Sequence, residues 1–197
     1  MRFEEPTKLG YFLDGFRNIY YKQISIDDQQ TIENEINENC GDILQSLKYD
    51  NFNRQDHPLF SNETFDENFI LENSLTNLSS IINNSAKEYL SEHACECPSR
   101  LTIKQSWALL CRKNTYGDLH NHPNVVISGV YYHKVDQFSN KIRFHSPLQF
   151  NKAYNTNFLD IQPKNGMILL FPGWMGHEIL PSINDTVRIS ISFGLTW

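Results

Sequence analysis

Three side chains that can ligate a metal occur close together in the middle of the chain. Asp118, His120 and His122 occupy alternate positions, and Pro123 follows directly. In a β-strand every second side chain points to the same face, so the three groups would share one face of one strand. Proline lacks the N–H that a sheet ladder needs, so the strand would end there, at the rim of a sheet. Imidazole and carboxylate groups are common ligands of iron and zinc.

A region near the C terminus adds another imidazole and a cation. His177 follows an apolar segment predicted to be a buried strand, and Arg188 begins a further β-rich segment. Alternation along that segment would place Arg188, Ser190 and Ser192 on one face. Burying an arginine is costly unless the guanidinium meets an anion. Two interpretations remain open: an ion pair with an internal carboxylate, or a guanidinium that binds a ligand carboxylate through two parallel hydrogen bonds.

The first half of the chain predicts the helices. Residues 1–98 are polar and contain two helical patterns, at about 27–47 and 67–93, with a strand within 12–26 and a loop over 49–62. Ser25 and Asp28 resemble a capping box at the start of the first helix. Gly41 interrupts its pattern, which fits one kinked helix or two short ones.

The second half predicts the sheets. Eight short β-rich segments occur at about 101–112, 117–122, 126–134, 141–146, 158–161, 166–171, 176–180 and 187–195. Short strands at this spacing favour a sandwich or barrel over βαβ units. A chain of 197 residues fits one domain. We therefore expect a single domain (1–197), mainly β with a helical layer, in which residues 1–98 cover a β-core formed by 99–197.

Composition and charge indicate which classes of partner and which cellular compartment to expect. The net charge is −6, from 17 basic and 23 acidic residues, which disfavours duplex nucleic acid as a partner. No apolar segment approaches the ~20 residues that span a bilayer, and the N terminus lacks a secretory pattern. We expect a cytoplasmic protein without a membrane partner. We also expect thiols, with no disulfide, at Cys40, Cys95, Cys97 and Cys111.

In combination, four segments resemble the iron(II)- and 2-oxoglutarate-dependent oxygenases. They are His120-Asn121-His122-Pro123, Ser128-Gly129-Val130-Tyr131-Tyr132, Phe171-Pro172 with His177, and Arg188-Ile189-Ser190-Ile191-Ser192-Phe193. More narrowly, they are similar to a family of such oxygenases found in marine bacteria and their tailed phages, over about residues 100–197. The resemblance implies a double-stranded β-helix (a cupin-like jelly roll), here with N-terminal helices packed on one sheet.

The metal ligands depart from the pattern of most such oxygenases. Those enzymes supply a histidine and a carboxylate from the first motif, and a second histidine completes the 2-His-1-carboxylate triad. Here the carboxylate position is His122, and no His-x-Asp or His-x-Glu occurs in the chain. Two ligand sets remain open: His120, His122 and His177, which keeps the motif spacing, or a set in which Asp118 supplies the carboxylate. Three neutral imidazoles would bind iron(II) less tightly and could favour zinc.

The resemblance also implies a function. It implies a dioxygenase that uses iron(II), 2-oxoglutarate and O2 to hydroxylate an unidentified protein side chain or small molecule, releasing succinate and CO2. Arg188 and Ser190 would hold the C5 carboxylate of 2-oxoglutarate. One tyrosine of the pair at 131–132 would add a hydrogen bond; only one can face inward, and we take Tyr131.

Two other function classes remain open. The histidines also match a zinc hydrolase or hydratase that activates water. A non-catalytic jelly-roll module for binding or structure, such as one derived from a phage particle, is the other. Arg188 discriminates between the classes, because the oxygenase needs its charge for the cosubstrate. A structural module needs it only if it is paired internally.

Overall fold

The computed structural model describes residues 16–49, 62–64, 67–93, 100–147, 157–181 and 187–197. Most of the loop predicted at 49–62, and both Cys95 and Cys97, lie outside these residues. None of the helices in the described part combines the length and apolar character needed to cross a membrane.

The N-terminal part forms one short strand and a long helix. After a 3-10 turn (Phe16–Asn18), β1 is Tyr20–Gln23 and α1 is Ile26–Tyr49. The Asp28 backbone N–H donates to Ser25 Oγ at 3.0 Å, so Ser25 caps the helix as predicted. Cys40 has non-helical backbone angles (φ −149°, ψ 16°). The predicted interruption is therefore confirmed: two helical stretches meet at a kink at Cys40, next to Gly41.

The single helix predicted over 67–93 is wrong, because the chain forms two helices there. They are α2 (Phe69–Glu72) and α3 (Thr76–Glu92), and Ser74 between them adopts a left-handed conformation (φ 53°). The buried Glu35 carboxylate of α1 accepts hydrogen bonds from the backbone N–H groups of Asn77 and Leu78, at 2.8 and 3.2 Å. Glu35 thus accepts from two N–H groups that have no partner within the first turn of α3, and it joins α1 to α3.

The strands form two antiparallel sheets. They are β2 (Asn62–Glu63), β3 (Thr102–Cys111), β4 (Gly117–His120), β5 (Ile127–Lys134), β6 (Ile142–His145), β7 (Phe158–Ile161), β8 (Met167–Pro172), β9 (His177–Ile179) and β10 (Arg188–Thr196). One sheet has the order β1-β8-β5-β10-β3-β2 and the other the order β4-β9-β6-β7. Strands β3 to β10 correspond to the eight predicted segments. The first-half strands β1 and β2 lie at the two edges of the larger sheet.

Alternation along the strands sorts side chains into two packed layers. On the outer face of the larger sheet, Ile189, Ile191 and Phe193 belong to one buried cluster with the apolar faces of α1 and α3. On its inner face, residues such as Tyr132 and Phe171 pack against Phe144 of the smaller sheet. This arrangement confirms a mainly β fold with a helical layer. It also leaves the space between the two sheets for the candidate site.

Candidate metal centre

Three imidazoles meet at one end of the space between the sheets. The potential ligand atoms of His120, His122 and His177 all lie within 4.8 Å of one another. Their ring centroids are 4.4 Å (His120–His177), 4.8 Å (His120–His122) and 5.2 Å (His122–His177) apart. His177 is buried, His122 is partly buried and His120 is exposed. Such a group is open to solvent on one side, as a metal that receives substrates must be.

Strand pairing places two of the three imidazoles. His120 of β4 lies opposite His177 of β9, whereas Gly117 lies opposite Ile179. Three steps along β4 thus match two steps along β9, so β4 contains one extra residue, a β-bulge. The bulge changes which side chains share a face. The prediction that Asp118, His120 and His122 share one strand face is therefore wrong: β4 ends at His120, and the exposed Asp118 side chain is not part of the group of imidazoles.

His122 lies outside the strands, and a turn that contains Gly173 holds it in place. The His122 backbone N–H donates to the Gly173 carbonyl at 2.7 Å, and the Gly173 N–H donates to the Val126 carbonyl at 3.0 Å. A Cβ atom at Gly173 would lie only 2.6 Å from the His122 carbonyl oxygen. The two segments approach so closely that only glycine fits there. Sequence reasoning singled out the neighbouring Phe171-Pro172 pair but not this contact.

Backbone carbonyls orient two of the rings. Nδ1 of His120 lies 2.6 Å from the Asp118 carbonyl oxygen, and Nδ1 of His177 lies 2.9 Å from that of Met175. A carbonyl oxygen only accepts, so in each ring Nδ1 carries the hydrogen. The lone pair is then on Nε2, which is the atom free to bind a metal.

Burial keeps two of the rings, His122 and His177, ready to bind a cation. Removal from water lowers the pKa of His122 to about 4, and the nearby His120 contributes to the shift. The same burial lowers the pKa of His177 to about 3, although its bond to Met175 acts in the opposite direction. Near neutral pH both rings are uncharged, and uncharged imidazole is the form that ligates metals.

A buried guanidinium occupies the same inter-sheet space. Arg188 is 1% exposed, and the guanidinium carbon lies 4.9 Å from the centre of the Tyr132 ring. Within the described residues, its one hydrogen bond runs from Nη1 to the Asn140 carbonyl at 3.1 Å, and it forms no ion pair with a carboxylate. The buried polar atoms that lack a hydrogen-bond partner within those residues include Nε of Arg188, Oγ of Ser190 and the hydroxyl of Tyr132. These groups fit an anion that would supply the missing acceptors.

Tyr132, and not Tyr131, faces this region. Tyr131 packs in the cluster beneath the helices, whereas Tyr132 belongs to the cluster between the sheets and lies opposite Ser190 in the pairing of β5 with β10. Successive residues of a strand point to opposite faces, so the expectation that Tyr131 faces inward assigned the two faces of β5 the wrong way round. Burial raises the pKa of Tyr132 to about 12, although Arg188 acts in the opposite direction, so its hydroxyl remains a donor at neutral pH.

Apolar side chains connect the imidazoles to the guanidinium. The Phe171 ring lies 4.7 Å from that of His177 and belongs to the same cluster as Tyr132. Ile179, two positions after His177, packs with Cys111, and Cys111 lies opposite Arg188 in the pairing of β3 with β10. The two groups of functional side chains therefore belong to one continuous interior.

Aromatic side chains also occur near the imidazoles. The Trp107 ring lies 5.5 Å from that of His122, and Trp174, in the turn before β9, is 51% exposed. His145 is not part of the group, because its Nε2 lies 2.8 Å from a Glu178 carboxylate oxygen. Trp107 is thus the tryptophan that contacts a candidate ligand.

The part of the sequence that forms this site matches the model of a known protein family. Residues 105–194 match the family model described as "Putative 2OG-Fe(II) oxygenase". This stretch contains the three imidazoles, Tyr132, Arg188 and Ser190, and the match confirms the resemblance to 2-oxoglutarate- and iron(II)-dependent oxygenases. The chain has no significant sequence match among curated proteins.

Solved structures share the fold at low identity. The SnoK carbocyclase of nogalamycin biosynthesis aligns with a TM-score of 0.67 and 9% identity, over 98% of this chain and 84% of its own. A prolyl-4-hydroxylase from Pseudomonas putida gives 0.59 and 12%, over 94% and 98%. HygX from Streptomyces hygroscopicus, with nickel and 2-oxoglutarate bound, gives 0.55 and 10%, over 96% and 86%. These similarities confirm the double-stranded β-helix.

Proposed function

We propose that the protein is an iron(II)- and 2-oxoglutarate-dependent dioxygenase that hydroxylates a protein side chain or a small molecule and releases succinate and CO2. The observation that carries this proposal is the pairing of two sites in one interior. Three imidazoles converge at one end, and a buried guanidinium lies beside two hydroxyls; its Nε and both hydroxyls have no hydrogen-bond partner within the described residues. A metal and a dicarboxylate satisfy both sets of groups.

His120, His122 and His177 would hold the metal. Nε2 of His120 and of His177 is available, since the Nδ1 atom of each ring is already hydrogen-bonded to a carbonyl oxygen. When bound, iron(II) supplies the activation of dioxygen, with 2-oxoglutarate as the reductant that becomes succinate and CO2. Phe171 packs against His177 and excludes water from one side of the ligand group.

Arg188, Ser190 and Tyr132 would hold the far carboxylate of 2-oxoglutarate. The planar guanidinium can donate two parallel hydrogen bonds to a carboxylate, and both hydroxyls can add a donor. A buried guanidinium is costly without an anion, so the ligand would replace a missing partner. These side chains bind and orient the cosubstrate. They take part in no proton transfer.

The buried guanidinium favours this function over a zinc hydrolase. A three-histidine hydrolase would use the same imidazoles, but it gives Arg188 no role. A non-catalytic module would pair Arg188 with an internal carboxylate, and the described residues contain no such pair. We also propose the cytoplasm as its compartment, in line with the expectation that the cysteines are thiols.

Oxygen-dependent turnover of 2-oxoglutarate tests the function without knowledge of the substrate. Protein loaded with iron(II) is incubated with 2-oxoglutarate in air, and succinate is measured. We expect slow succinate formation that stops without oxygen, with zinc in place of iron, or in an Arg188→Met variant. Hydrolysis of model esters by the zinc form, without succinate from the iron form, would favour the hydrolase instead.

A further inference from the structure

One asparagine side chain joins the two strands that carry imidazoles. Asn140 is 2% exposed and precedes β6. Its Nδ2 donates to the carbonyl oxygens of Thr115 and Leu180, each at 2.9 Å. Thr115 precedes β4, which carries His120, and Leu180 follows β9, which carries His177. The amide therefore joins the ends of these strands opposite the imidazoles.

The same residue also holds the guanidinium. The main-chain carbonyl of Asn140 accepts the hydrogen bond from Nη1 of Arg188 at 3.1 Å. A guanidinium is rigid and planar, so fixing one nitrogen restricts the directions of its other N–H groups. The side chain of Asn140 thus anchors its own carbonyl, and that carbonyl anchors Arg188.

We propose that Asn140 is a positioning residue that fixes the Arg188 guanidinium relative to the strands bearing His120 and His177. The inference rests on the proposed function, because 2-oxoglutarate would contact the metal at one end and Arg188 at the other. A five-carbon acid can span only a limited distance, so its two binding groups must lie within that distance of each other. In enzymes, a displacement of about 1 Å in the groups that position a substrate can lower the reaction rate as much as a hundredfold.

Asn140→Ala, loaded with nickel(II), provides the test. The affinities for nickel and for 2-oxoglutarate are measured by titration calorimetry. We expect 2-oxoglutarate binding to weaken by about tenfold or more, because the variant loses the two side-chain hydrogen bonds that hold the Asn140 carbonyl in place against Arg188. Nickel binding should remain unchanged, since β4 and β9 still pair with each other. If Asn140→Ala does not fold, Asn140→Ser provides the test, because serine keeps one donor. It should also bind 2-oxoglutarate more weakly and nickel as the wild type does.

Gln162→Ala is the matched control. Gln162 Nε2 donates to the Ser139 carbonyl at 2.9 Å, so this variant loses a side-chain hydrogen bond to the same turn without changing the contacts of Asn140. It should bind nickel and 2-oxoglutarate as the wild type does. Equal losses in Gln162→Ala and Asn140→Ala would show a general loosening of the turn and would overturn the inference.

A double-mutant cycle shows whether Asn140 acts through Arg188. In an Arg188→Met background, Asn140→Ala should cause no further loss of 2-oxoglutarate binding, because the group that it positions is gone. A further loss equal to that in the wild-type background overturns the inference. So does an Asn140→Ala variant that binds 2-oxoglutarate as tightly as wild type, in which case the proposed function survives. If wild type itself does not bind 2-oxoglutarate, the function and this inference both fail.

Discussion

His120 and His177 lie directly opposite each other in the antiparallel pairing of β4 with β9, with ring centroids 4.4 Å apart. Directly opposed side chains of paired strands start about 4.5–5.5 Å apart at Cβ, close enough for two imidazoles to share one ion. The backbone ladder itself therefore creates two thirds of the candidate ligand set. The third imidazole depends on a contact between loops.

Removing one of the opposed imidazoles should remove the metal. We expect His177→Ala to lower affinity for iron(II) or nickel(II) by at least about a hundredfold, more than the loss of a residue that only orients a ligand. The matched control is His145→Ala, since His145 contacts Glu178 and not the ligand group. Metal content by elemental analysis checks both. A metal retained in His177→Ala and lost in His145→Ala would show that the ion lies elsewhere.

The charge of the ligand set predicts a gain of affinity. We expect His122→Asp to bind iron(II) about tenfold or more tightly, because a carboxylate adds a negative charge close to the cation. Asp118→Ala should leave metal binding unchanged, since its side chain is exposed and outside the group. Competition with a chelator measures both affinities. Loss of metal from Asp118→Ala, together with a tolerated His122→Ala, would identify Asp118 as the third ligand.

Two glycines in one turn should respond differently to alanine. At Gly173 a Cβ would lie 2.6 Å from the His122 carbonyl oxygen, whereas at Gly176 its nearest contact would be 3.5 Å from Leu119 Cδ1. We expect Gly173→Ala to cost about 1–3 kcal/mol of stability by overpacking and to weaken metal binding by displacing His122. Gly176→Ala should change neither. Thermal unfolding and metal titration compare them, and equal effects would remove the role assigned to Gly173.

The adjacent tyrosines provide a matched pair. Tyr132→Phe should weaken 2-oxoglutarate binding about two- to tenfold, the usual effect of one lost hydrogen bond. Tyr131→Phe should have no effect on that binding, because Tyr131 lies in the cluster under the helices. Calorimetric titration of the nickel-loaded variants measures both. Weaker binding in Tyr131→Phe, with unchanged binding in Tyr132→Phe, would show that Tyr131 contacts the cosubstrate.

The parts of this protein that follow local periodicity are predictable from its sequence. The alternation of side chains from Arg188 to Phe193 correctly predicts which residues of β10 lie on each face of the sheet. It does so because a packed layer covers each face. The three histidines are recognisable from their spacing. Pattern alone also gives the strands β3 to β10 within one or two residues at most ends.

The parts that depend on tertiary contacts are not predictable in this way. The bulge in β4 is visible only in its register with β9, and it moves Asp118 away from the imidazoles. Asn140 occurs in a polar segment without any pattern, and its importance comes from the distant carbonyls of Thr115 and Leu180. The break between α2 and α3 depends on the backbone at Ser74, which helical periodicity does not reveal.

Anaerobic titration of 2-oxoglutarate into the iron(II)-loaded protein tests the central claim most directly. We expect one molecule to bind per chain, with binding weakened by more than about tenfold in Arg188→Met, which loses a charge-assisted pair, and partly restored in Arg188→Lys. The iron affinity of both variants should match that of the wild type. Wild-type protein that binds iron but no 2-oxoglutarate, or an Arg188→Met variant that binds it as tightly as wild type, would contradict the account.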